Sequence, residues 1–329
     1  MVSTTDIITI ETTALRVDAL PAYGARVVGL VDKATGRDWM APGCSSPNVG
    51  EDAVYGIDEA VGWDECFPTV GVWDASGTSW TRKLRDHGDL WGRPWQVDDA
   101  SPTHLTTSYV GREFTFRRTL CVEGSTLTAE YGVKNTGSAD LPYLWAMHCL
   151  LTATPGDRFV LDGLSQVDAG YLVLNGLRFE PGKLPWPGPS SMFPVPLDLV
   201  HENASAIAAK LYATAIPSRS VAVGRGDDWL VIVWDASLND LGIWMTYGGW
   251  PGPGGAQQIA PEPTSAPADD LGDALRQGTA VHLAPGATRR WTVELSLSKQ
   301  PRTADRAKTP LKEQGYEHSY RGGPVPRAH

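Results

Sequence analysis

This sequence predicts a mainly β protein, one large antiparallel β-sandwich, on three observations. Alternating apolar and polar runs recur from near the start almost to residue 300, and few stretches show helical periodicity. The counts of 35 Gly, 25 Pro and 13 Trp suit short strands joined by turns better than a helical bundle. At 329 residues one large domain or two ordinary ones would fit, with about three quarters of the unfolded surface buried on folding. Strands spread evenly without a shift in composition favour a single domain over residues 1–300, followed by a tail over 301–329.

The first run, "IITIETTALRVDALPAYGARVVGLVDKATGRDWM", alternates between turn signals at Tyr23-Gly24 and Ala34-Thr35-Gly36, which reads as a strand meander. The same grammar returns in "HLTTSYVGREFTFRRTLCVEGSTLTAEYGVKNTG", where Gly111 and Gly124 separate three strands. "LPYLWAMHCLLTA" carries apolar residues on both faces, as expected of a central strand covered on both sides. "GKLPWPGPSSMFPVP" is too proline-rich for a central strand and reads as a long loop. Further strands are expected in "SVAVGRGDDWLVIVWD", "LGIWMTYGG", "TAVHLAP" and "RRWTVELSLS". Short helices are expected only around Ser205 to Tyr212 and Ala268 to Arg276. After Lys299 the chain is polar, with Pro and Gly and little capacity to form a core.

A formal net charge of −10, without a Lys/Arg block or a basic amphipathic stretch, argues against nucleic acid and membrane as partners. No signal-peptide pattern and no long apolar run occurs, so a soluble, unexported, cytoplasmic protein is expected. Cys44, Cys66, Cys121 and Cys149 are far apart, and free buried thiols are the simplest reading.

Four stretches occur in a telling order: "LPAYGARVVGLVDKATGRDWM", "DHGDLWGRPWQV", "YGVKNTGSADLPYLWAMHCLL" and "IAPEPTSAPADDL". Together they resemble the aldose 1-epimerase (galactose mutarotase-like) superfamily, with its opening hairpin, its HG motif, its "lPy..g.HpyF" strand and its late "EP" motif. "LAPGATRRWTVELSL" is similar to the family's closing segment, so the resemblance covers residues 14–297. "GWDECFPTVG" further resembles the "CFPWFG" region of a hexose-6-phosphate epimerase branch, but Val61-Gly62-Trp63 and Asp64-Glu65 stand where that branch has Arg-Gly-Gly.

The resemblance implies a galactose mutarotase-like supersandwich and matches His87, His148 and Glu262 to the family's catalytic histidines and glutamate. The chemistry agrees. Exchange of anomers needs a base for the anomeric hydroxyl proton and an acid for the ring oxygen, with no cofactor or metal. Glu262 suits the base if partial burial raises its pKa, and its flanking prolines hold the backbone that aims it; a solvated acid in a rigid loop is the plainer alternative. His148, on an apolar strand, reads either as a hydrogen-bonded core histidine or as the acid. His87 reads as a turn histidine beside Asp86 or as a donor sharing the acid task. The family's Pro-Tyr-Phe after the second histidine is Cys149-Leu150-Leu151 here, which alters one pocket wall.

Of Trp63, Trp73, Trp80, Trp91 and Trp95 most should be core, with Trp91 or Trp95, and Trp250 further on, as sugar platforms. Arg85 and Arg93, with Arg82 and Lys83, are placed to bind an anionic substituent. Asp64, Glu65, Asp86 and Asp89 nearly balance their charge, so a hexose phosphate is not favoured over a neutral sugar, and Glu65 or Asp64 is a candidate for binding hydroxyls. No metal is expected, because adjacent His148 and Cys149 point to opposite faces of a strand and no ligand spacing occurs. Serine hydrolase motifs, phosphate loops and dinucleotide fingerprints are also absent in convincing form. The leading expectation is an anomer-exchanging isomerase with a small-molecule sugar as partner, as a monomer or homodimer. The alternatives are an isomerase or lyase of the same fold on another hydroxylated substrate, and a non-catalytic carbohydrate-binding protein.

Overall fold

A computed structural model describes residues 7–42, 53–56 and 60–301. The opening meander is β1 (Ile8–Glu11), β2 (Leu15–Leu20) and β3 (Arg26–Asp32), followed by the fully buried β4 (Trp63–Cys66). β5 (Trp73–Asp74) and β6 (Lys83–Leu84) form a two-stranded ribbon. The second meander is β7 (Gln96–Ala100), β8 (His104–Val110), β9 (Phe114–Glu123) and β10 (Thr126–Asn135), and along β9 buried residues alternate with more exposed ones as the sequence did. "LPYLWAMHCLLTA" is divided into β11 (Leu141–Tyr143), β12 (Ala146–Cys149) and β13 (Leu151–Thr152).

β14 (Arg158–Val160), β15 (Gln166–Leu174), β16 (Leu177–Arg178) and β17 (Gly182–Pro185) follow. The proline-rich loop is thus a loop except at its start, where β17 pairs along β15. Next come β18 (Ile207–Ala213), β19 (Ser220–Arg225), β20 (Asp228–Trp234), β21 (Asp240–Tyr247) and β22 (Gln257–Thr264). Helix α1 (Leu271–Gln277) is capped by the Asp270 side chain on Asp273 N, 2.8 Å, and ends at Gly278 with φ 69°. β23 (Val281–Leu283) and β24 (Thr288–Ser298) are the last strands among the described residues.

Among the described residues one sheet has twelve strands in the order β1-β2-β3-β4-β12-β22-β21-β18-β15-β16, with β13 added to β22 and β17 to β15. The other has eight, β14-β19-β20-β24-β10-β9-β8-β7, and the pairings between these strands are antiparallel. The helix expected at Ser205 to Tyr212 is instead β18, every residue of it buried between β15 and β21. Alanine-rich local propensity there yields to a place in the middle of a large sheet, where backbone groups must pair on both sides. Cys66 and Cys149 are free and buried, whereas Cys121 is exposed on β9, against the expectation of burial; Cys44 lies outside the described residues, as does the tail beyond residue 301. Among the described residues no helix is long and apolar enough to cross a membrane.

Between the sheets, apolar side chains surround one polar knot. Glu65 Oε1 accepts from Trp63 Nε1 (3.0 Å), Arg118 Nη1 (2.9 Å) and Tyr131 OH (3.1 Å), and Oε2 accepts from Trp145 Nε1 (3.0 Å). Neither Glu65 nor Arg118 is exposed, so each charge depends on these partners in place of water. Burial pushes the Glu65 carboxyl up to about 7 despite the Arg118 guanidinium beside it.

Candidate active site

Directly opposed residues of an antiparallel pair point to the same face. His148 opposes Asp64, Ala146 opposes both Cys66 and Thr264, Gly242 opposes both Glu262 and Tyr212, and Trp244 opposes Lys210. One face of the large sheet therefore gathers Asp64, Cys66, His148, Glu262, Lys210 and Tyr212. The alternate residues Trp63, Glu65 and Met147 turn to the core.

Glu262 lies within β22 rather than in a loop, 2 % exposed. Its neighbours Pro261 and Pro263 are unusual inside a sheet because they donate no hydrogen bond. They are tolerated because pairing of β22 with β12 and β13 skips from Ile259 to Thr264, while pairing with β21 runs on through Glu262. Lys210 Nζ reaches Glu262 Oε2 from β18, two strands away. Gly242 on the intervening β21 makes this possible: a Cβ there would stand 2.9 Å from Glu262 Oε2 and 3.4 Å from Lys210 Nζ. Glu262 Oε1 is buried with no hydrogen-bond partner among the described residues. Burial pushes the Glu262 carboxyl above the ordinary range, with Lys210 pulling the other way. Burial opposes the Lys210 charge, but Glu262 and Asp269 hold its ammonium above its ordinary value. Asp269 in turn accepts from Tyr212 OH, 2.6 Å.

His148 and His87 arrive from different elements, with ring centroids 4.7 Å apart. His148, on β12, is 6 % exposed, and burial, then the nearby His87, hold its imidazole well below its ordinary value. His87 has φ 58° in a loop pinned by His87 N to Val70 O and by a bridge between Gly88 and Phe67 at the end of β4. Gly88 must be glycine: it has φ 72°, and a Cβ would lie 2.1 Å from Phe67 O. The dipeptide His-Gly is thus the means by which a loop imidazole is seated beside β4. Tyr55 stacks on His87 at 3.6 Å between centroids and 11° between planes, and its hydroxyl lies 3.4 Å from His148 Nδ1.

The remaining expected residues divide by face and depth. Asp64 is on the site face but forms a buried two-point ion pair with Arg26. Glu65, expected to bind hydroxyls, points instead into the core knot, because neighbouring strand residues alternate faces. Trp95 packs against Phe116 and donates to Leu90 O, so it is a core side chain rather than a platform. Trp91 is buried too, its edge against Tyr55, its Nε1 on Asp86 O (2.8 Å) and Arg85 over its ring. Arg85 donates to Gly88 O and Trp91 O, bracing the loop of His87. Arg93 donates to Tyr109 OH, 2.7 Å, on the side of the eight-stranded sheet. Trp250, partly buried, meets Trp244 edge-on at 5.8 Å, and Trp244 meets Tyr171 at 6.1 Å, so aromatic rings flank the Glu262 end of this face. Lys210, Tyr55 and Gly242 are the residues that sequence reasoning missed.

Cys66 Sγ and one ring nitrogen each of His87 and His148 lie within 4.8 Å of one another, a grouping hidden from a spacing argument that considered Cys149. Cys149 is buried on the opposite face, opposing Trp63. Burial, and then the Glu262 charge, push the Cys66 thiol well above its ordinary value, which opposes the thiolate that a metal requires.

The two stacked antiparallel sheets have the fold of the galactose mutarotase-like proteins. No protein-family model and no curated sequence matches this chain. Among solved structures, one from Escherichia coli K12, provisionally named an aldose 1-epimerase, superposes with a TM-score of 0.65 at 17% identity, covering 90% of this chain and 99% of its own. A galactose mutarotase-like protein from Lactobacillus casei gives 0.60 at 18% identity, covering 89% and 100%. A galactose mutarotase related enzyme from Lactobacillus acidophilus gives 0.64 at 14% identity, covering 91% and 99%. At these identities the likeness is one of fold.

Proposed function

We propose that this chain is an aldose 1-epimerase-like isomerase that interconverts the anomers of a small sugar through ring opening. The observation that carries the reading is the meeting of Glu262, whose Oε1 has no partner among the described residues, and the imidazoles of His148 and His87 on one sheet face. Glu262 takes the proton of the anomeric hydroxyl while the bond between C1 and the ring oxygen breaks and an imidazole protonates that oxygen. The open-chain aldehyde turns about C1–C2. The hydroxyl then adds to the other face of the carbonyl and both protons return.

His87, whose side chain is 18 % exposed, carries the transferable proton in this scheme. His148, kept neutral by burial, donates an N–H bond to the same oxygen. Lys210 is a positioning residue that holds Oε2 and leaves Oε1 to the substrate. The site's fixed cations, Arg26 and Lys210, are each matched by a carboxylate, which supports a neutral sugar over a phosphorylated one. Trp250 and Trp244 offer ring faces to its C–H surface. A cytoplasmic enzyme with no partner beyond its sugar fits this reading.

Anomer exchange followed by polarimetry or NMR over hexoses, pentoses, uronic acids and hexose phosphates, with the spontaneous rate subtracted, tests it. Acceleration by the wild type and its loss in Glu262→Gln are expected; a wild type inert on the whole panel overturns the proposal. One observation favours a second reading, an isomerase or lyase on another hydroxylated substrate. An ammonium beside the base, as Lys210 is beside Glu262, also suits stabilisation of an enolate after proton abstraction next to a carbonyl.

A further inference from the structure

On the site face, Cys66 ends β4 one residue before Phe67, whose bridge to Gly88 seats His87, and His148 stands on the neighbouring β12. Ala146 opposes Cys66 and His148 opposes Asp64, so Cys66 and His148 are diagonal neighbours on one face, within reach of each other's side chains. Cys66 Sγ and one ring nitrogen of each histidine lie within 4.8 Å of one another. Tetrahedral zinc, with bonds of about 2.3 Å to sulfur and about 2.0 Å to nitrogen, sets its ligand atoms about 3.3–3.6 Å apart, a closure that side-chain rotation can supply. Two paired strands and a tethered loop hold the three donors, so little ordering remains for a metal to impose. The outer contacts fit as well. Asp86 Oδ1 stands 3.2 Å from His87 Nδ1 and Tyr55 OH 3.4 Å from His148 Nδ1, the kind of contact that orients a ligating imidazole. Glu262, whose charge acts on both Cys66 and His87, adds a carboxylate beside the group, and its Oε1 has no partner among the described residues. Burial disfavours a lone Cys66 thiolate, but a dication bonded to the sulfur supplies the opposing charge and displaces the thiol proton to solvent.

We propose that Cys66, His87 and His148 form a binding site for Zn²⁺, with the fourth position open to water, and that the ion inhibits the chain instead of serving its reaction. A thiolate and two imidazoles are donors that suit zinc and not the oxygen-seeking Mg²⁺ and Ca²⁺. The inhibitory part rests on the isomerase reading, because coordination withdraws both imidazoles from proton transfer. The site itself does not rest on it.

Titration of the full chain with Co²⁺, the spectroscopic stand-in for zinc, tests the site. A single ion per chain is expected, with a thiolate-to-cobalt charge-transfer band and tetrahedral visible bands, all of them lost when Zn²⁺ displaces the cobalt. Cys66→Ser, its fold checked by circular dichroism, should lose the charge-transfer band and bind Co²⁺ at least about tenfold more weakly, whereas Cys121→Ser, at an exposed position of β9, should keep both. X-ray absorption by the zinc-loaded wild type needs no variant and should find one sulfur and two imidazole nitrogens on the metal. A metal shell without sulfur, or a charge-transfer band that survives in folded Cys66→Ser, overturns the site. Stoichiometric zinc should slow anomer exchange at least about tenfold, with recovery on adding a chelator; full activity of the zinc-loaded chain overturns the inhibitory role. The spectra need no turnover, so a wild type inert on every sugar would overturn the isomerase reading while they still decide the site.

Discussion

Lys210 and Glu262 meet across the width of an intervening strand, over a glycine whose missing side chain leaves the path open. Both are buried, so the ion pair replaces water for each partner and fixes one carboxylate oxygen while the other has no hydrogen-bond partner among the described residues.

Replacing Glu262 by Gln keeps the volume and a hydrogen bond with Lys210 but removes the proton acceptor. Anomer exchange should slow by about 10² to 10⁴ with a small change in KM. Saturation kinetics by NMR would show this, and an unchanged kcat would remove Glu262 as base.

Lys210→Met should move the pH profile. The base acts when ionised, so activity rises as pH passes its raised pKa. His87, His148, Cys66, Asp269 and Tyr212 also face this carboxylate, and loss of the ammonium leaves the two acids less balanced. The acid limb of kcat should therefore shift to higher pH, with a greater loss at low pH than at high pH. A uniform loss across the profile would reduce Lys210 to a structural role.

At Gly242, Ala would place a methyl group 2.9 Å from Glu262 Oε2. Overpacking of this kind costs about 1–3 kcal/mol, so a lower melting temperature and displacement of the carboxylate are expected together. Wild-type melting and rate in Gly242→Ala would contradict the packing described.

The two histidines should respond differently. His148→Asn, deep in the sheet, keeps an N–H donor and should be the milder of the two in rate. His87→Asn removes the transferable proton and should slow exchange by about 10² to 10⁴, while remaining neutral in stability because Asn adopts the positive φ of this position readily. Parallel rate and melting measurements separate the cases.

Glu65 predicts a pH dependence of stability. Its carboxyl is raised from an ordinary 4.5 to about 7, so the folded state binds the extra proton between these values. The associated stability is fully present below the lower value and is lost as pH rises through the upper one, on the order of 3 kcal/mol in all. Urea titrations at about pH 4.5 and pH 7.5 should show this loss in the wild type and not in Glu65→Gln, which has no proton to release.

Alternation alone made the meanders and the two-sheet class legible, and the ordered motifs pointed to Glu262, His148 and His87, which the fold gathers on one face. The failures have physical causes. Lys210 escaped notice because "AIAAKLYA" reads by propensity as a helix, and only pairing on both sides makes it a strand. Glu65 and Asp64 looked equivalent as adjacent acids, but alternation sends one into the core and leaves the other beside Arg26. Tyr55 lies in no motif, and only three-dimensional packing brings its ring onto His87.

The tethering of the His87 loop bears on how this protein would meet a substrate. Backbone bonds to Val70 and a bridge to Phe67 fasten His87 and Gly88 to the end of a strand. Recognition here would resemble insertion into a finished mould more than closure of a lid, with the ordering entropy of the loop spent during folding instead of at each encounter. Slow amide exchange at His87 and Asp89, whose N–H groups bond Val70 O and Phe67 O, in the free protein, and little further slowing with sugar bound, would be its signature.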